Sequence, residues 1–301
     1  MTNIAEKSKL LQALRSQRLT VTAECVPPKG ADAAEIKKLA ASLPKAITAL
    51  VVADNHEDIR ACALSTAALL ARENVETVLT LVTRDRNRIA LQSDALGAAA
   101  LGISNVLCVS GDHMSLGVCP EAGGAFDVDP IQLVQALKDI RDDGKLLGGE
   151  KLASAPALFL GGVVHPYLQP MKLNLISATK KIAAGAQFVF TSPVYDVAAL
   201  GEWMKAICAA GLHEKAAILA TVRPLASAKE AEELQKTHKS SGIPESLIER
   251  LRKASDPAKE GVAIAAEIAA KIKEIPGIKG IHILSGGRAD SIKAIVEQAG
   301  L

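Results

Sequence analysis

Short apolar runs recur along the chain at residues 19–25, 47–53, 77–82, 105–109, 157–161, 188–191, 216–222 and 280–284, with amphipathic stretches between them. Runs this short and rich in Val, Ile, Leu and Ala are what strands look like when both faces are buried, and strands that alternate with helices build a parallel sheet. Eight such units predict an α/β fold closed on itself, a (β/α)8 TIM barrel. The length of 301 residues suits one barrel domain over 1–301, since such barrels need about 250 residues. An apolar share of 49% against 23% charged residues is enough to fill a large core.

Helices are expected at 31–43, 59–72, 89–101 and 131–142, where apolar positions fall three and four apart. Gly102 and Gly211 read as helix stops, and Asp196 and Ser285 as caps or turn residues. Two segments exceed a minimal unit. Residues 111–130, rich in Gly, Asp and Pro, follow the fourth strand and are expected to cover a ligand. Residues 226–273 read as three helices (227–238, 244–254 and 257–272) inserted between strands seven and eight, a cap or an assembly surface.

Lys and Arg total 35 against 33 Asp and Glu, and aromatics make up 2%, so the chain offers neither a basic footprint nor stacking platforms for nucleic acid. A small molecule is the expected ligand. Residues 1–10 lack the apolar core of a secretory signal, and no apolar run approaches the roughly 20 residues of a membrane span, which predicts a cytoplasmic protein. Cys25, Cys62, Cys108, Cys119 and Cys208 are odd in number and scattered, so no metal site or disulfide framework is expected.

Catalytic side chains of a β/α barrel stand at the C-terminal ends of its strands. Glu24 stands there on strand one, before the turn Pro27-Pro28-Lys29-Gly30. A carboxylic acid in a mostly apolar mouth is hard to ionise and suits a general acid. After strand four comes Cys108-Val-Ser-Gly-Asp112-His113, in which Gly111 would let backbone approach a flat ligand and Asp112 would face a developing cation or a ligand N–H. Arg84-Asp85-Arg86-Asn87-Arg88 could receive a phosphate at a helix start, or form a solvated charge cluster. Gly161 and Gly162 permit a second close approach, and His165 could hydrogen-bond a cofactor. Ser192, Tyr195 and Asp196 are placed to grip a polar ring. Lys181 reads as a solvated helix residue, and Arg288 as a cation able to reach an anionic group at the rim. Rossmann, P-loop and serine-nucleophile motifs are absent.

In order along the chain, Glu24-x-x-Pro27-Pro28, the run from Gly102 to Gly111-Asp112, Val164-His165-Pro166, and Ala184-Gly185-Ala186 leading to Thr191-Ser192-Pro193-Val194-Tyr195-Asp196 resemble the methylenetetrahydrofolate reductase family. Asp54-Asn55 and the stretch from Arg84 to Ser93 look most like its branch in anaerobic one-carbon metabolism. The resemblance implies a flavin-bearing barrel that reduces 5,10-methylenetetrahydrofolate to the 5-methyl product, with Glu24 as general acid and Asp112 contacting the pterin. It implies FAD, with FMN as the alternative, held around Ala53, Asn55, Thr80, Arg84, Cys108, Val109, Ser110, Gly111, Asp112, Gly161, Gly162, His165 and Lys181. Substrate would meet Glu24, Asp112, Ser192, Tyr195 and Arg288.

Some positions depart from the family pattern: Ser110 stands for an arginine, Val78 for a histidine, Gly161 for a tyrosine and Ser192 for a glutamine that touches pterin and nicotinamide. A phenylalanine that helps bind nicotinamide aligns near Ala228. The electron donor is therefore expected to be NAD(P)H or a partner electron-transfer subunit, in an oligomer or multi-subunit complex. The alternatives are a flavin-free pterin methyltransferase on the same barrel and a non-catalytic subunit of a one-carbon complex.

Overall fold

A computed structural model describes residues 4–16, 18–55, 58–238 and 241–301. Its strands are β1 (Thr20–Cys25), β2 (Ile47–Val52), β3 (Thr77–Val82), β4 (Asn105–Val109), β5 (Phe159–Val164), β6 (Phe188–Pro193), β7 (Ala217–Val222) and β8 (Ile278–Ile283). They form a closed parallel barrel in sequence order, sealed where Thr20 to Ala23 of β1 pair with Gly280 to Ile283 of β8.

Alternation along each strand sorts the core into two layers. Val21, Ala23 and Cys25 of β1, Val106 and Cys108 of β4, and Ile281 and Ile283 of β8 face the surrounding helices. Inside the barrel lie Ala49, Val51, Val78, Leu107, Phe159, Phe188, Phe190 and Leu219. Three of the four phenylalanines stack there: Phe159 and Phe188 centroids are 4.9 Å apart, and Phe188 and Phe190 are 5.4 Å apart. The His282 ring continues the stack 4.6 Å from Phe190 and meets the Thr22 hydroxyl through Nδ1 at 3.1 Å. Burial drives this imidazole down to about 3, so it is neutral.

One end of the barrel is plugged. The helix Lys9–Arg15 inserts Leu10, Leu11 and Leu14 into the inner layer. Its cap Ser8 donates to Asn105 Oδ1 (2.6 Å), and Asn105 donates to Glu76 Oε1 (2.8 Å) and the Thr77 carbonyl (2.9 Å). Because these partners lie at strand beginnings, the opposite end, where the strands finish, is left as the mouth.

Several boundaries differ from expectation. β5 begins and ends later than 157–161 because Gly161 and Gly162 lie within the strand instead of ending it. The helix expected from 59 begins at Ala63, and β6 runs on to Pro193. Asp196 does cap its helix, accepting from the Ala199 amide at 3.0 Å. Between β7 and β8 stand the helices Ala228–Thr237, Glu245–Lys253 and Pro257–Ile272. The third packs on β7, β8 and the neighbouring helices as a barrel helix does, so close that a Cβ on Gly261 would lie 1.7 Å from the Leu225 carbonyl oxygen. Among the described residues no helix is long and apolar enough to cross a membrane, and no group of His, Cys, Asp and Glu could hold a metal ion.

Candidate active site at the barrel mouth

Glu24 ends β1 almost wholly buried, at 9% exposure. Its Oε2 accepts from the Ser285 hydroxyl (3.0 Å) and the Gly286 amide (2.8 Å). Ser285, read from the sequence as a cap or turn residue, does open a turn, its carbonyl accepting from the Arg288 amide at 3.2 Å, and its hydroxyl also fixes this acid from just past β8, while Gly286, in the left-handed region at φ 59°, turns its amide to the same oxygen. A small cavity of ≈ 50 Å³ opens beside the carboxylate, lined by Glu24, Asn55, Arg60, Arg223, Leu284 and Gly287 among others. Of these, sequence reasoning found only Glu24, Asn55 and Ala53. Arg223 lies one position past β7, a strand-end signal that could have revealed it. Arg60 had no such signal. A larger depression of ≈ 430 Å³, lined by Ser246, Arg250 and Glu260 among others, belongs to the helices between β7 and β8 and shares no residue with the mouth.

Arg223 donates to Glu230 Oε1 (2.9 Å), and Arg288 lies 3.8 Å from the other oxygen of the same glutamate while donating to the Pro224 carbonyl. Two guanidiniums thus gather around one carboxylate at the rim of β7 and β8. On the inward side of β6 and β7 the Ser192 and Thr221 hydroxyls are buried and have no hydrogen-bond partner among the described residues. The Tyr195 hydroxyl is likewise buried and unbonded, and burial pushes its pKa up. Buried unbonded polar atoms also occur away from the mouth, at Thr20 and Thr66, so what distinguishes Ser192 and Thr221 is their place on the inward face at the strand ends.

The flank formed by β2, β3 and β4 is built differently. Arg84, at 8% exposure, grips Asp85 with Nε (2.7 Å) and Nη2 (2.8 Å), donates Nη2 to the Asn55 carbonyl (2.8 Å), and donates Nη1 to the Asp112 carbonyl (3.0 Å). Arg86 bridges Asp54 and Asp94, and Arg88 pairs with Asp127 at 2.8 Å, which holds that carboxyl near 2. Each arginine expected as a phosphate receiver is therefore matched to a carboxylate. Asn55 adopts φ 45°, with its side chain accepting from the Arg60 amide at 3.0 Å. Asp112 is half-buried, its side chain not among those lining the small cavity.

Two of the three glycines expected to admit a ligand are already filled by protein. A Cβ on Gly161 would sit 2.3 Å from the Phe188 ring, and one on Gly111 would sit 2.6 Å from Val82 Cγ1. Gly162 faces the other way, toward Lys181. That lysine, expected on a solvated face, is mostly buried and donates to the Val163 carbonyl at 2.6 Å; burial lowers its pKa. The Cys108 side chain packs into the helix-facing layer, away from the mouth, and burial raises its thiol pKa. Thr80 is buried, Ser110 is exposed, and His165 keeps an open face at the rim. Crowding around the His165 ring lowers it to about 4, with the Lys181 ammonium adding to the shift.

Above the aromatic floor, Ala53, Val109 and Val163 are partly exposed where the residues below them are buried. Small apolar side chains at the top of a closed barrel make a surface suited to a flat ring, and the polar groups around it can fix that ring's edges.

The closed eight-stranded parallel barrel with an acid near the end of its first strand places the chain among (β/α)8 barrel proteins. The sequence model of methylenetetrahydrofolate reductase matches residues 9–300, and the chain belongs to that family. It is similar to a 5,10-methylenetetrahydrofolate reductase of Pectobacterium carotovorum subsp. carotovorum, 24% identical over 292 residues, covering 94% of this chain and 91% of the relative. Among solved structures, an uncharacterized protein from Clostridium thermocellum that binds two copies of 5-methyl-5,6,7,8-tetrahydrofolic acid superposes with a TM-score of 0.69 at 17% identity, covering 96% of each chain. A riboflavin lyase with modified FMN and riboflavin shares the fold at a TM-score of 0.57 and 11% identity, covering 94% of this chain and 90% of that one.

Proposed function

We propose that this chain reduces 5,10-methylenetetrahydrofolate to 5-methyltetrahydrofolate, with Glu24 as the general acid. The observation that carries the reading is Glu24 itself: a buried carboxyl at the end of β1, hydrogen-bonded through Oε2 and opening onto a cavity shared with Asn55 and Arg223, in a chain of this family. Opening the bridged ring breaks the bond from the methylene carbon to N10, and Glu24 supplies the proton to that nitrogen. A 5-iminium cation remains, and Asp112 provides nearby negative charge to stabilise it. Ser192, Thr221 and Tyr195 offer hydroxyls for the polar edges of the pterin, and Arg288 with Arg223 offers positive charge for its anionic end.

Reduction needs a hydride, which reduced flavin supplies when bound. The partly exposed surface of Ala53, Val109 and Val163 fits such a ring, with Ser110 and His165 at its margin, while Gly162 and Lys181 back it from the helix side. FAD is the expected form and FMN the alternative, because Arg84, Arg86 and Arg88 are each matched to a carboxylate and leave little for a second phosphate. The flavin would be recharged by NAD(P)H or by a partner electron-transfer subunit.

The filling of Gly161 and Gly111 by Phe188 and Val82 favours a second reading, a flavin-free pterin protein. One experiment separates the two. Purified chain should release a flavin on denaturation, and methylenetetrahydrofolate should reoxidise the reduced holoprotein with formation of 5-methyltetrahydrofolate. A colourless protein that binds the pterin would establish the flavin-free alternative instead.

A further inference from the structure

We infer that Arg84 is a positioning residue, a clamp that sets the β2 and β4 loops against each other and so aims Asp112 and Asn55; the second half of that inference rests on the function proposed above. Its guanidinium makes four hydrogen bonds of 2.7–3.0 Å, two to Asp85, one to the Asn55 carbonyl and one to the Asp112 carbonyl. A guanidinium carries five N–H donors, so little remains for a ligand anion. Asp85 fixes the plane of the fork and raises its pKa, which keeps the charge in place.

The backbone of the same residue completes the junction. The Arg84 amide donates to the Ser110 carbonyl at 3.0 Å, and its carbonyl accepts from Ala125 at 2.7 Å, while Phe126 donates to the Thr83 carbonyl at 3.2 Å. Both ends of the 111–126 loop are therefore tied to the end of β3. Gly111, at φ 76°, packs where a Cβ would lie 3.4 Å from Arg84 Cβ, so the turn that presents Asp112 is moulded on this side chain. Asn55 holds a left-handed backbone that few non-glycine residues adopt, and the Arg84 bond to its carbonyl helps keep it there. One buried side chain thus joins the loops on either side of β3, each carrying a residue of the mouth.

The test compares wild type with Arg84→Lys, which keeps the charge but cannot span both carbonyls, and with Asp85→Asn, which frees the fork. Amide hydrogen exchange of the ligand-free chain should quicken by about tenfold or more around Asn55 and from Gly111 to Phe126 together, with the plugged end of the barrel unchanged. Unchanged exchange in both loops of both variants overturns the clamp, whatever the protein binds. Methyltetrahydrofolate affinity, measured by calorimetry, should fall in Arg84→Lys, and combining that change with Asp112→Asn should weaken binding no further than Asp112→Asn alone. Additive losses would overturn action through Asp112. A selective loss of FMN over riboflavin in Arg84→Lys would make the residue a phosphate ligand and also overturn the inference. Should wild type bind neither pterin nor flavin, the proposed function falls while the exchange result still decides the clamp.

Discussion

The two flanks of the mouth use similar residues to opposite ends. Across β2, β3 and β4, arginines and aspartates are matched to one another and to loop carbonyls, so charge is consumed in holding backbone. Across β6, β7, β8 and β1, Arg223 and Arg288 gather at Glu230, the Ser192, Thr221 and Tyr195 hydroxyls are buried with no hydrogen-bond partner among the described residues, and both hydrogen bonds to Glu24 fall on one oxygen. The first flank satisfies its charged groups internally, with the Thr83 hydroxyl left buried and unbonded, and acts as frame, whereas the second gathers several such hydroxyls that a ligand could meet. Proton delivery by Glu24 is accordingly expected on the second flank, while the first holds the loops that present Asn55 and Asp112.

The sharpest way to break that contrast is Glu24→Gln. Its amide can still accept from Ser285 and Gly286 but cannot deliver a proton, so turnover of methylenetetrahydrofolate should drop by about 10²–10⁴-fold while the unfolding midpoint stays put. Turnover within a few-fold of wild type would remove the acid from the proposed reaction. On the framing flank, Asp54→Asn leaves Arg86 short of one buried carboxylate, with Asp94 as its remaining partner. Stability should fall by about 2–3 kcal/mol, read by denaturant unfolding, because an incompletely matched buried charge is costly. A loss of turnover larger than the loss of stability would blur the division between the flanks.

The floor beneath the second flank gives a pH signature. His282 has its pKa lowered to about 3 by burial, while an unfolded histidine titrates near 6.5. The unfolded chain therefore binds more protons between those values, and stability present above about pH 6.5 is lost as pH falls toward 3, by up to about 1.4 kcal/mol per unit. Urea midpoints taken at pH 7 and pH 5 should separate for wild type and separate less for His282→Gln, in which His165, lowered to about 4, still contributes in the same direction. Equal pH dependence in both proteins would show that another group carries the acid response.

The barrel was legible because strand-length apolar runs repeat eight times, and that signal survives errors at any one boundary. Glu24 was legible for a related reason: a carboxylate interrupts an apolar strand just before a Pro-Pro turn. The role of Ser285 was not, because it lies in closure of the barrel, which brings residue 285 to residue 24 across β8 and β1. The arginine cluster misled in the other direction. Sequence shows three cations near a helix start, but only the fold brings Asp54, Asp94 and Asp127 to them. Glycines were equally ambiguous, since a missing side chain marks close approach without saying what approaches.

Gly161 and Gly162 turn that ambiguity into the smallest expected effect and its control. Gly161 points inward, where an added Cβ would meet the Phe188 ring at 2.3 Å, and the ring is held between Phe159 and Phe190 with little room to shift. Gly161→Ala should therefore cost about 1–3 kcal/mol by overpacking the aromatic floor. Its neighbour points outward, where an added Cβ would meet only Lys181 Cδ at 3.8 Å, an ordinary contact. Gly162→Ala should leave stability within about 0.5 kcal/mol, since it meets no rigid neighbour. Thermal unfolding of the two variants side by side checks the pair. If Gly161→Ala were as stable as wild type and instead weakened ligand binding, the space above that glycine would belong to the ligand, and the floor would lie lower in the barrel than the phenylalanine stack places it.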